Sequence, residues 1–550
     1  MNFRKSLYQV SLVTIMAISA VNTQAQGVVP AQKGDKTFTL EDLNFGGNNY
    51  RNMVAKNRWC TWWGDQLVRQ DVDACYLVNK TNGKETKLFG INDINQWIAP
   101  TKDVKVRALY NARFPFAGKS IVMVSNGSKT YTVDFRKHRL ISELEFQEGE
   151  NLLEANTQQN AFAYLKGSNL YVRTFNAAPE NAMTKEKKSH DFQLSADGSR
   201  EIVYGQSVHR DEFGISKGTF WSPNGERLAF YRMDQSMVTD YPQVNIPEIG
   251  FDHPETQSCI ATPAPDKYPM AGETSHQVTV GVFDCLTGKT IYLKAGDPTD
   301  RYFTNIAWSP DSKTVYMFEV NRDQNDSRLT AYDAETGEKT GELYRETDEK
   351  YVEPLHPIMF LPWDSNRFIM QSRKDGYNHL YLCTLGKHGS RMASNTESLD
   401  IRQLTSGKWE VMEVLGFNRK RKSIIIASNE CSPIQRNIFL VDTQTGKRTM
   451  MDDCGKGWHN ATLSESGQFV YDNYSTPDVP RKIAIVNTEN GKRTAYFTAE
   501  NPWKGYNVPE YSCGTVKAAD GETDLYWRMV KPTNFDPAKK YPTIIYVYGG

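Results

Sequence analysis

The chain has 550 residues, which is too long for one hydrophobic core, so we expect at least two domains. Its 65 basic and 65 acidic residues are evenly interspersed, which leaves no basic face for nucleic acid or for an anionic membrane surface. Aromatic residues make up 12% of the chain and long helical periodicity is absent, so the composition favours a mainly β protein.

The first predicted element is a signal peptide over residues 1–25. Arg4 and Lys5 give it a positive start, residues 10–21 are mostly apolar, and Thr23-Gln24-Ala25 places small side chains where a signal peptidase reads them. We therefore expect an exported protein, periplasmic or extracellular. The apolar run is shorter than the roughly 20 residues that cross a bilayer, so a stable membrane span is the less favoured alternative.

The cysteines and histidines give no metal-binding pattern. Export permits disulfides, whereas buried free thiols suit a large body equally well, and the sequence leaves both interpretations open. The nine histidines lack the paired spacing of ligands, so we expect no metal and no cofactor. The eight cysteines are Cys60, Cys75, Cys259, Cys285, Cys383, Cys431, Cys454 and Cys513.

Between about residues 50 and 500 a strand pattern recurs with a period of about 50 residues. One end of the unit is a turn that leads into an apolar strand, as in Phe220-Trp-Ser-Pro and Ala307-Trp-Ser-Pro. The unit closes with another strand and a glycine turn, as at Gly337 and Gly446. Repeated strand pairs with this period are typical of a β-propeller, and the available length favours eight blades over seven.

Two stretches do not fit the repeat. Residues 239–269 are rich in proline and long enough to form an insertion on one blade, and the charged residues Lys185 to Lys188 indicate a solvated loop.

Two other motifs are chance matches. Gly214-Ile-Ser-Lys-Gly218 has the spacing of a nucleophile elbow, but it lacks the buried strand before Ser216 and the helix after it. Residues 323–327 resemble the start of a calcium loop without the required glycine and terminal glutamate, so we predict a hairpin loop there.

The chain ends in a predicted buried strand. Thr543 to Tyr548 is a near-continuous run of β-branched and aromatic residues, as in a parallel strand that is covered on both faces. Two glycines follow Tyr548, which suits a tight turn that presents donors to an oxyanion, as in α/β-hydrolases. We expect an amino-terminal segment at 26–49, a propeller at 50–500 and the incomplete start of an α/β-hydrolase domain at 501–550.

These features together resemble the dipeptidyl peptidase IV branch of the prolyl oligopeptidase family of serine peptidases. The stretch from Val203 to Ile215 and the stretch from Phe230 to Val238 are similar to bacterial prolyl tripeptidyl peptidases. The more general resemblance rests on Phe220-Trp-Ser-Pro, Tyr268-Pro-Met-Ala-Gly272, Ser372-Arg-Lys-Asp-Gly-Tyr-Asn-His-Leu-Tyr381, Trp409-Glu-Val411 and Val547-Tyr-Gly-Gly550.

The resemblance implies a role for two residues. In the family, glutamate on a propeller segment binds the free α-amino group of the substrate, and Glu212 matches this acid in the tripeptidyl pattern. Dipeptidyl members carry consecutive glutamates after Val-Tyr, where this chain has Gly205-Gln206-Ser207. Tyr548 is implied to join a backbone amide in the oxyanion hole. The implied activity is the release of Xaa-Xaa-Pro tripeptides from proline-containing peptides.

Other functions stay open at this point. The protein could release Xaa-Pro dipeptides, act as an endopeptidase or acylaminoacyl peptidase, or be a non-catalytic propeller that binds peptides or glycans. No catalytic serine, aspartate and histidine of the implied kind are present up to Gly550, so we expect the 550-residue chain alone to be inactive. Relatives are commonly dimers, which leaves a homodimer open.

Overall fold

The computed structural model describes residues 24–98, 105–127, 129–175, 189–246, 260–386, 399–452 and 456–547. Most of the predicted signal peptide, the charged residues at 185–188 and the candidate oxyanion residue Tyr548 lie outside these residues. Within them the protein is mainly β, as predicted, and its α-helices are short. The helices are Leu40–Leu43, Tyr50–Met53 and Ile91–Ile98.

Eight antiparallel sheets follow one another along the described part of residues 60–498, and we number them sheet 1 to sheet 8 in chain order. Most strands pair with their neighbours in sequence, so each sheet is a meander. The strands are, in sheet 1, Cys60–Trp63, Gln66–Gln70, Ala74–Val78 and Glu85–Gly90; in sheet 2, Ile121–Asn126, Lys129–Asp134 and Arg139–Glu145; in sheet 3, Glu150–Ala155, Ala161–Lys166, Asn169–Phe175 and Ser189–Gln193; in sheet 4, Ile202–Tyr204, Thr219–Trp221, Arg227–Asp234, Gln277–Asp284 and Lys289–Tyr292; in sheet 5, Arg301–Trp308, Thr314–Asn321, Asp326–Asp333 and Lys339–Thr347; in sheet 6, Met359–Leu361, Asp364–Ser372, His379–Thr384 and Asp400–Gln403; in sheet 7, Val411–Asn418, Ser423–Ser428, Asn437–Asp442 and Arg448–Met450; and in sheet 8, Trp458–Leu463, Phe469–Thr476, Val479–Asn487 and Arg493–Thr498.

The first turn of the repeat is held by the serine of the Trp-Ser-Pro motif. In sheet 4 the hydroxyl of Ser222 accepts a hydrogen bond from the amide of Arg227 at 3.0 Å. In sheet 5 the hydroxyl of Ser309 accepts one from the amide of Thr314 at 2.9 Å. The same side chain therefore closes the same turn twice, which explains why the motif predicts the strand that follows.

The second turn of the repeat uses an aspartate and a glycine. The carboxylate of Asp333 accepts a hydrogen bond from the amide of Thr336 at 2.8 Å, and Gly337 follows with a φ of 73°. A Cβ atom at Gly337 would lie 2.4 Å from the carbonyl oxygen of Tyr292 in sheet 4. Glycine is thus required both for the turn and for the close packing of sheet 5 on sheet 4.

Sheet 1 packs against sheet 8, and we call this contact the joint. A buried cluster contains Leu67 from sheet 1 together with Tyr471 and Ile483 from sheet 8. The indole nitrogen of Trp62 also donates a hydrogen bond to the hydroxyl of Thr462 at 3.1 Å. The first and the last of the eight sheets are therefore in contact.

An insertion extends from sheet 4 between the strands Arg227–Asp234 and Gln277–Asp284. In it Asp240–Tyr241 pairs with Asp266–Lys267, and Val244–Asn245 pairs with Thr262–Pro263. We call the described residues 240–246 and 260–268 the ribbon, and its base is the end that carries Asp240 and residues 266–268; it lies in the stretch in which the sequence predicts an insertion. The predicted hairpin loop at 323–327 is also present, because Thr314–Asn321 and Asp326–Asp333 are antiparallel partners.

A separate three-stranded sheet joins both ends of the described chain, with the strands Gln24–Val29, Tyr511–Lys517 and Asp524–Val530. Its first strand includes Gln24 and Ala25, which belong to the predicted signal peptide. Cleavage after Ala25 would leave the pairing of residues 27–29 in place.

The structure does not contain the predicted buried strand from Thr543. Residues 541–547 belong to no strand, and Ile544 and Ile545 are 96% and 82% exposed. A buried parallel strand needs a neighbour along each edge and cover on each face, and the described residues provide neither. The apolar pattern of this segment was therefore not sufficient to predict its structure in this chain.

Six cysteines fall within the described residues, and all six are free thiols. Burial raises the pKa of Cys60, Cys75, Cys285 and Cys383 to about 12, so these four thiols are inert at neutral pH. The interpretation as buried free thiols therefore applies to Cys75 and Cys383, and Cys60 and Cys285 are half-buried free thiols. Cys259 and Cys454 lie outside the described residues.

Candidate substrate-anchoring site

Glu212 lies in a tightly turned segment of sheet 4, His209–Gly214, between the strands Ile202–Tyr204 and Thr219–Trp221. We call His209–Gly214 the anchor segment. The side chain of Glu212 is exposed, and no hydrogen bond or ion pair with another described residue involves its carboxylate. Its backbone carbonyl accepts a hydrogen bond from the amide of Ile215 at 3.2 Å. The carboxylate is therefore open to a ligand while the backbone that carries it is held.

The backbone of the anchor segment is strained on both sides of Glu212. His209, Arg210, Asp211 and Phe213 have φ values of 52°, 56°, 64° and 56°, a region that is unfavourable for residues with a Cβ atom. Each such residue costs roughly 1–2 kcal/mol, so the segment keeps this conformation only if its surroundings impose it. Strain of this kind is concentrated at binding and catalytic sites.

Sheet 5 holds the carboxyl-terminal side of the anchor segment. The ring of Phe213 is buried against the ring of Tyr302, with the ring centroids 5.1 Å apart. The side-chain amide of Asn305 donates a hydrogen bond to the carbonyl of Phe213 at 3.1 Å. At Gly214, a Cβ atom would lie 2.4 Å from the carbonyl oxygen of Leu355, so the backbone packs directly on that residue.

The base of the ribbon holds the other side of the anchor segment. The guanidinium of Arg210 forms an ion pair with Asp266 and lies 4.3 Å from the ring centroid of Tyr268. Asp211 accepts a hydrogen bond from the hydroxyl of Ser207. Each strained residue next to Glu212 therefore has a contact of its own that keeps it in place.

Two buried histidines pack against each other at the start of the anchor segment, His209 within it and His276 outside it. His209 and His276 are each 2% exposed, and their ring centroids are 6.0 Å apart. Neither ring nitrogen of His209, nor Nδ1 of His276, has a hydrogen-bond partner among the described residues. Burial, with a smaller contribution from nearby positive charge such as that of Arg322, lowers the pKa of His209 to about 3 and that of His276 to about 4. Both rings are therefore neutral at pH 7.

The remaining predicted site residues have different outcomes. Ser216 is exposed in a loop between the anchor segment and the strand Thr219–Trp221, so it does not lie on a nucleophile elbow. Tyr548 lies outside the described residues, and its role in an oxyanion hole remains a prediction. No group of three or more histidine, cysteine or acidic side chains in the described part of the chain could hold a metal ion. No helix in that part is both long and apolar enough to cross a bilayer.

The sequence did not reveal the residues that support Glu212. Arg210 and Tyr268 both occur in stretches that resemble the peptidase family, but nothing in the pattern predicts their contact. The sequence also did not indicate that His209 is buried, because a single histidine beside charged residues is usually solvated.

Comparisons with known proteins place these observations in a family. Residues 117–481 match the family described as the dipeptidyl peptidase IV N-terminal region. A relative from Emericella nidulans, named "Probable dipeptidyl-aminopeptidase B", is 24% identical over 526 residues, which cover 86% of this chain and 55% of the relative. The chain spans about half the length of the curated relatives it matches.

Two solved structures are similar in fold. A Bacteroides ovatus protein, provisionally assigned as a dipeptidyl aminopeptidase IV, is 43% identical with a TM-score of 0.80, and the match covers 92% of this chain and 69% of that one. Dipeptidyl peptidase 4 of Porphyromonas gingivalis is 20% identical with a TM-score of 0.69, covering 93% and 69%, which shows the fold alone. This chain belongs to the dipeptidyl peptidase IV N-terminal region family.

Proposed function

We propose that the complete protein is an exported serine exopeptidase of the dipeptidyl peptidase IV kind, and that the eight sheets anchor and gate its peptide substrates. Membership of the family and the names of the relatives support a peptidase of this kind. The nucleophile, its base and the oxyanion hole with Tyr548 would come from sequence outside the described residues. No cofactor is needed for this chemistry.

In this proposal sheets 1 to 8 are the blades of an eight-bladed propeller, and residues 501–550 begin an α/β-hydrolase domain. The joint between sheets 1 and 8 supports the first part, because a ring of blades must bring its first and last members together. A peptide would enter between the two domains, so the propeller would exclude large folded substrates.

The observation that carries the proposal is the exposed Glu212 carboxylate on a strained and well-supported segment. A carboxylate at a fixed position is the natural partner of an ammonium group, and a charge-assisted hydrogen bond to it is strong. Fixing the amino terminus in this way sets how many residues reach the catalytic serine. We infer that the protein releases Xaa-Xaa-Pro tripeptides, since a single glutamate stands here and the consecutive glutamates of dipeptidyl members are absent.

In the proposed reaction the serine oxygen attacks the carbonyl carbon of the proline residue and gives up its proton to the base. The bond to the leaving amine then breaks as that amine takes the proton, and water releases the tripeptide from the acyl-enzyme. Throughout these steps, the role of Glu212 is to hold the ammonium end of the peptide. Its charge therefore affects binding of the substrate more than the chemical steps.

Release of Xaa-Pro dipeptides is the competing function, and the names of the relatives favour it. The two are separated by measuring kcat/KM of the full-length protein for Xaa-Xaa-Pro and Xaa-Pro reporter peptides with the same leaving group. We expect the tripeptide reporter to be preferred. A preference for the dipeptide reporter would contradict tripeptide release while leaving the peptidase class intact.

The role of Glu212 is tested with Glu212→Gln in the same protein. Losing one charge-assisted hydrogen bond should lower kcat/KM roughly 10- to 100-fold, mainly by raising KM. Glu335→Gln is a matched control, because Glu335 is exposed on the closing turn of sheet 5 and should not affect activity. Equal activity of Glu212→Gln and the wild type would refute the anchor.

A further inference from the structure

The cation nearest to Glu212 in sequence is directed away from it. Arg210 is two residues before Glu212 and has a side chain long enough to reach a neighbouring carboxylate. Its guanidinium instead pairs with Asp266 and covers the ring of Tyr268, both at the base of the ribbon. Glu212 has neither partner among the described residues, although both side chains are on the same short segment.

The base of the ribbon is itself held by hydrogen bonds to the two residues that lead into it, Val238 and Thr239. The ammonium of Lys267 donates a hydrogen bond to the carbonyl of Val238 at 2.7 Å, and the amide of Tyr268 donates one to the carbonyl of Thr239 at 3.2 Å. Asp266 and Tyr268 are therefore in a defined position when Arg210 meets them. Arg210 and Asp266 are 37% and 43% exposed, so their ion pair adds little to global stability.

If Arg210 were released from Asp266, it would compete with the ammonium group of the substrate for the Glu212 carboxylate. A guanidinium on the same segment has a high effective concentration near the Glu212 carboxylate, and it would bind where the ammonium of a substrate binds. The buried histidines nearby do not compete, because they are neutral at pH 7. Keeping Glu212 available therefore requires that Arg210 be occupied elsewhere.

We propose that Asp266 and Tyr268 sequester Arg210 and thereby keep the Glu212 carboxylate unpaired for the amino terminus of the substrate. This inference rests on the proposed function, and it makes Asp266 a positioning residue that acts through Arg210. It also gives the ribbon a role in substrate affinity without direct contact with the peptide.

The test is Asp266→Asn in the full-length protein, assayed with the preferred reporter peptide. We expect KM to rise about 10-fold with little change in kcat, because the released Arg210 competes with the substrate ammonium. The double variant Arg210→Met/Asp266→Asn removes the competitor and should recover most of the affinity. A purely structural role of the ion pair predicts the opposite, since the double variant would then bind no better than the single one.

Asp240→Asn is the matched control. Asp240 is on the opposite strand of the same ribbon, pairs with Arg200 and Lys267 and is similarly exposed, but neither of these cations is on the anchor segment. We expect its KM to match the wild type, and thermal unfolding should confirm that all variants are folded. An unchanged KM in Asp266→Asn, or no recovery in the double variant, would overturn the inference.

The comparison with Glu212→Gln separates this failure from failure of the proposed function. If Glu212→Gln impairs binding but Asp266→Asn does not, only the sequestration of Arg210 is wrong. If Glu212→Gln has no effect, the anchor itself is wrong and the sequestration has no purpose.

Discussion

The joint between sheets 1 and 8 and the anchor segment are both places where distant parts of the chain meet, but they are built in opposite ways. At the joint, regular strands bury apolar side chains, and polar groups such as the Trp62 indole have partners. In the anchor segment, four residues other than glycine adopt positive φ values, and the ring nitrogens of His209 lack partners among the described residues.

This difference separates stability from function. Buried apolar area and satisfied hydrogen bonds lower the free energy of the folded state, so the joint should dominate the resistance to unfolding. Strain and unsatisfied polar groups raise that free energy, and a protein retains them where they position a functional group. The contrast can be tested by altering each region separately.

The largest effect on stability should come from the apolar core of the joint. Leu67 is fully buried in a cluster with Tyr471 and Ile485. Leu67→Ala removes that contact and leaves a cavity, so we expect the free energy of unfolding in urea to fall by about 2–5 kcal/mol. Leu67→Met keeps most of the volume and should cost less than about 1.5 kcal/mol. A loss below about 1 kcal/mol for the alanine variant would show that the joint contributes little.

The next effect concerns a buried ionic cluster in sheet 8. The carboxylate of Asp472 is fully buried, 2.9 Å from Nδ1 of His459, and accepts a hydrogen bond from Arg493 at 3.1 Å. Asp472→Asn removes the charge that balances these groups, and the expected loss is about 3 kcal/mol in urea unfolding. Asp326→Asn is a control. Asp326, like Asp472, has two basic partners, which are both arginines, but its carboxylate is less buried.

The same cluster predicts a pH dependence with a definite sign. Burial opposes protonation of His459, but the hydrogen bond and charge of Asp472 outweigh it and raise the pKa of His459 above 6.5. The folded state therefore holds its proton more tightly than the unfolded state. This contribution to stability is present below about pH 6.5 and is lost as the pH rises through the raised pKa. Asp472→Asn should lose less stability than the wild type between pH 6 and pH 8.

The anchor segment should respond to pH in the opposite direction. The pKa values of His209 and His276 are lowered to about 3 and about 4, so the folded state excludes protons that the unfolded state binds. Stability is then complete above about pH 6.5 and falls as the pH drops toward the lowered values. At pH 5 the loss is roughly 2 kcal/mol per histidine.

Hydrogen exchange of peptides that cover residues 203–219 measures this response locally. The intrinsic rate of amide exchange falls between pH 7 and pH 5. After correction for that fall, exchange of these peptides should be faster at pH 5 than at pH 7, and peptides from the joint should not show this difference. His209→Phe keeps an aromatic ring without a titrating nitrogen and should reduce the effect by about half. If exchange at pH 5 were equally fast in His209→Phe and in the wild type, titration of His209 would not be the cause of the pH response.

The repeat could be read from the sequence because its turns are local. Ser222 and Ser309 bond amides a few residues away, so the Trp-Ser-Pro motif contains the information that closes the turn. Mainly β architecture and the insertion in sheet 4 follow from the same kind of pattern. The joint follows only indirectly, because no local sequence feature shows that residues near 65 contact residues near 466.

The anchor segment could not be read in this way. Glu212 was identified through a family resemblance, but the positive φ value of Phe213 beside it depends on contacts with Tyr302 and Asn305, about 90 residues away in sequence. The strand predicted from Thr543 to Tyr548 is absent from its described part, residues 543–547, for a related reason. Its apolar pattern is local, but strand formation depends on neighbouring strands that the described residues do not supply.

The smallest effect tests whether polar contacts at the joint matter beside its apolar core. The carboxylate of Asp65 accepts hydrogen bonds from the amide and the hydroxyl of Ser466, at 3.0 and 2.8 Å. Asp65→Ala removes the carboxylate oxygen that accepts both hydrogen bonds at a half-buried position, so we expect a loss of about 1 kcal/mol in urea unfolding. Asp65→Asn retains an acceptor oxygen and should lose less, which separates the hydrogen bonds from the charge. If Asp65→Ala were as damaging as Leu67→Ala, polar contacts rather than burial would hold the joint, and its contrast with the anchor segment would no longer be one of apolar packing against strain.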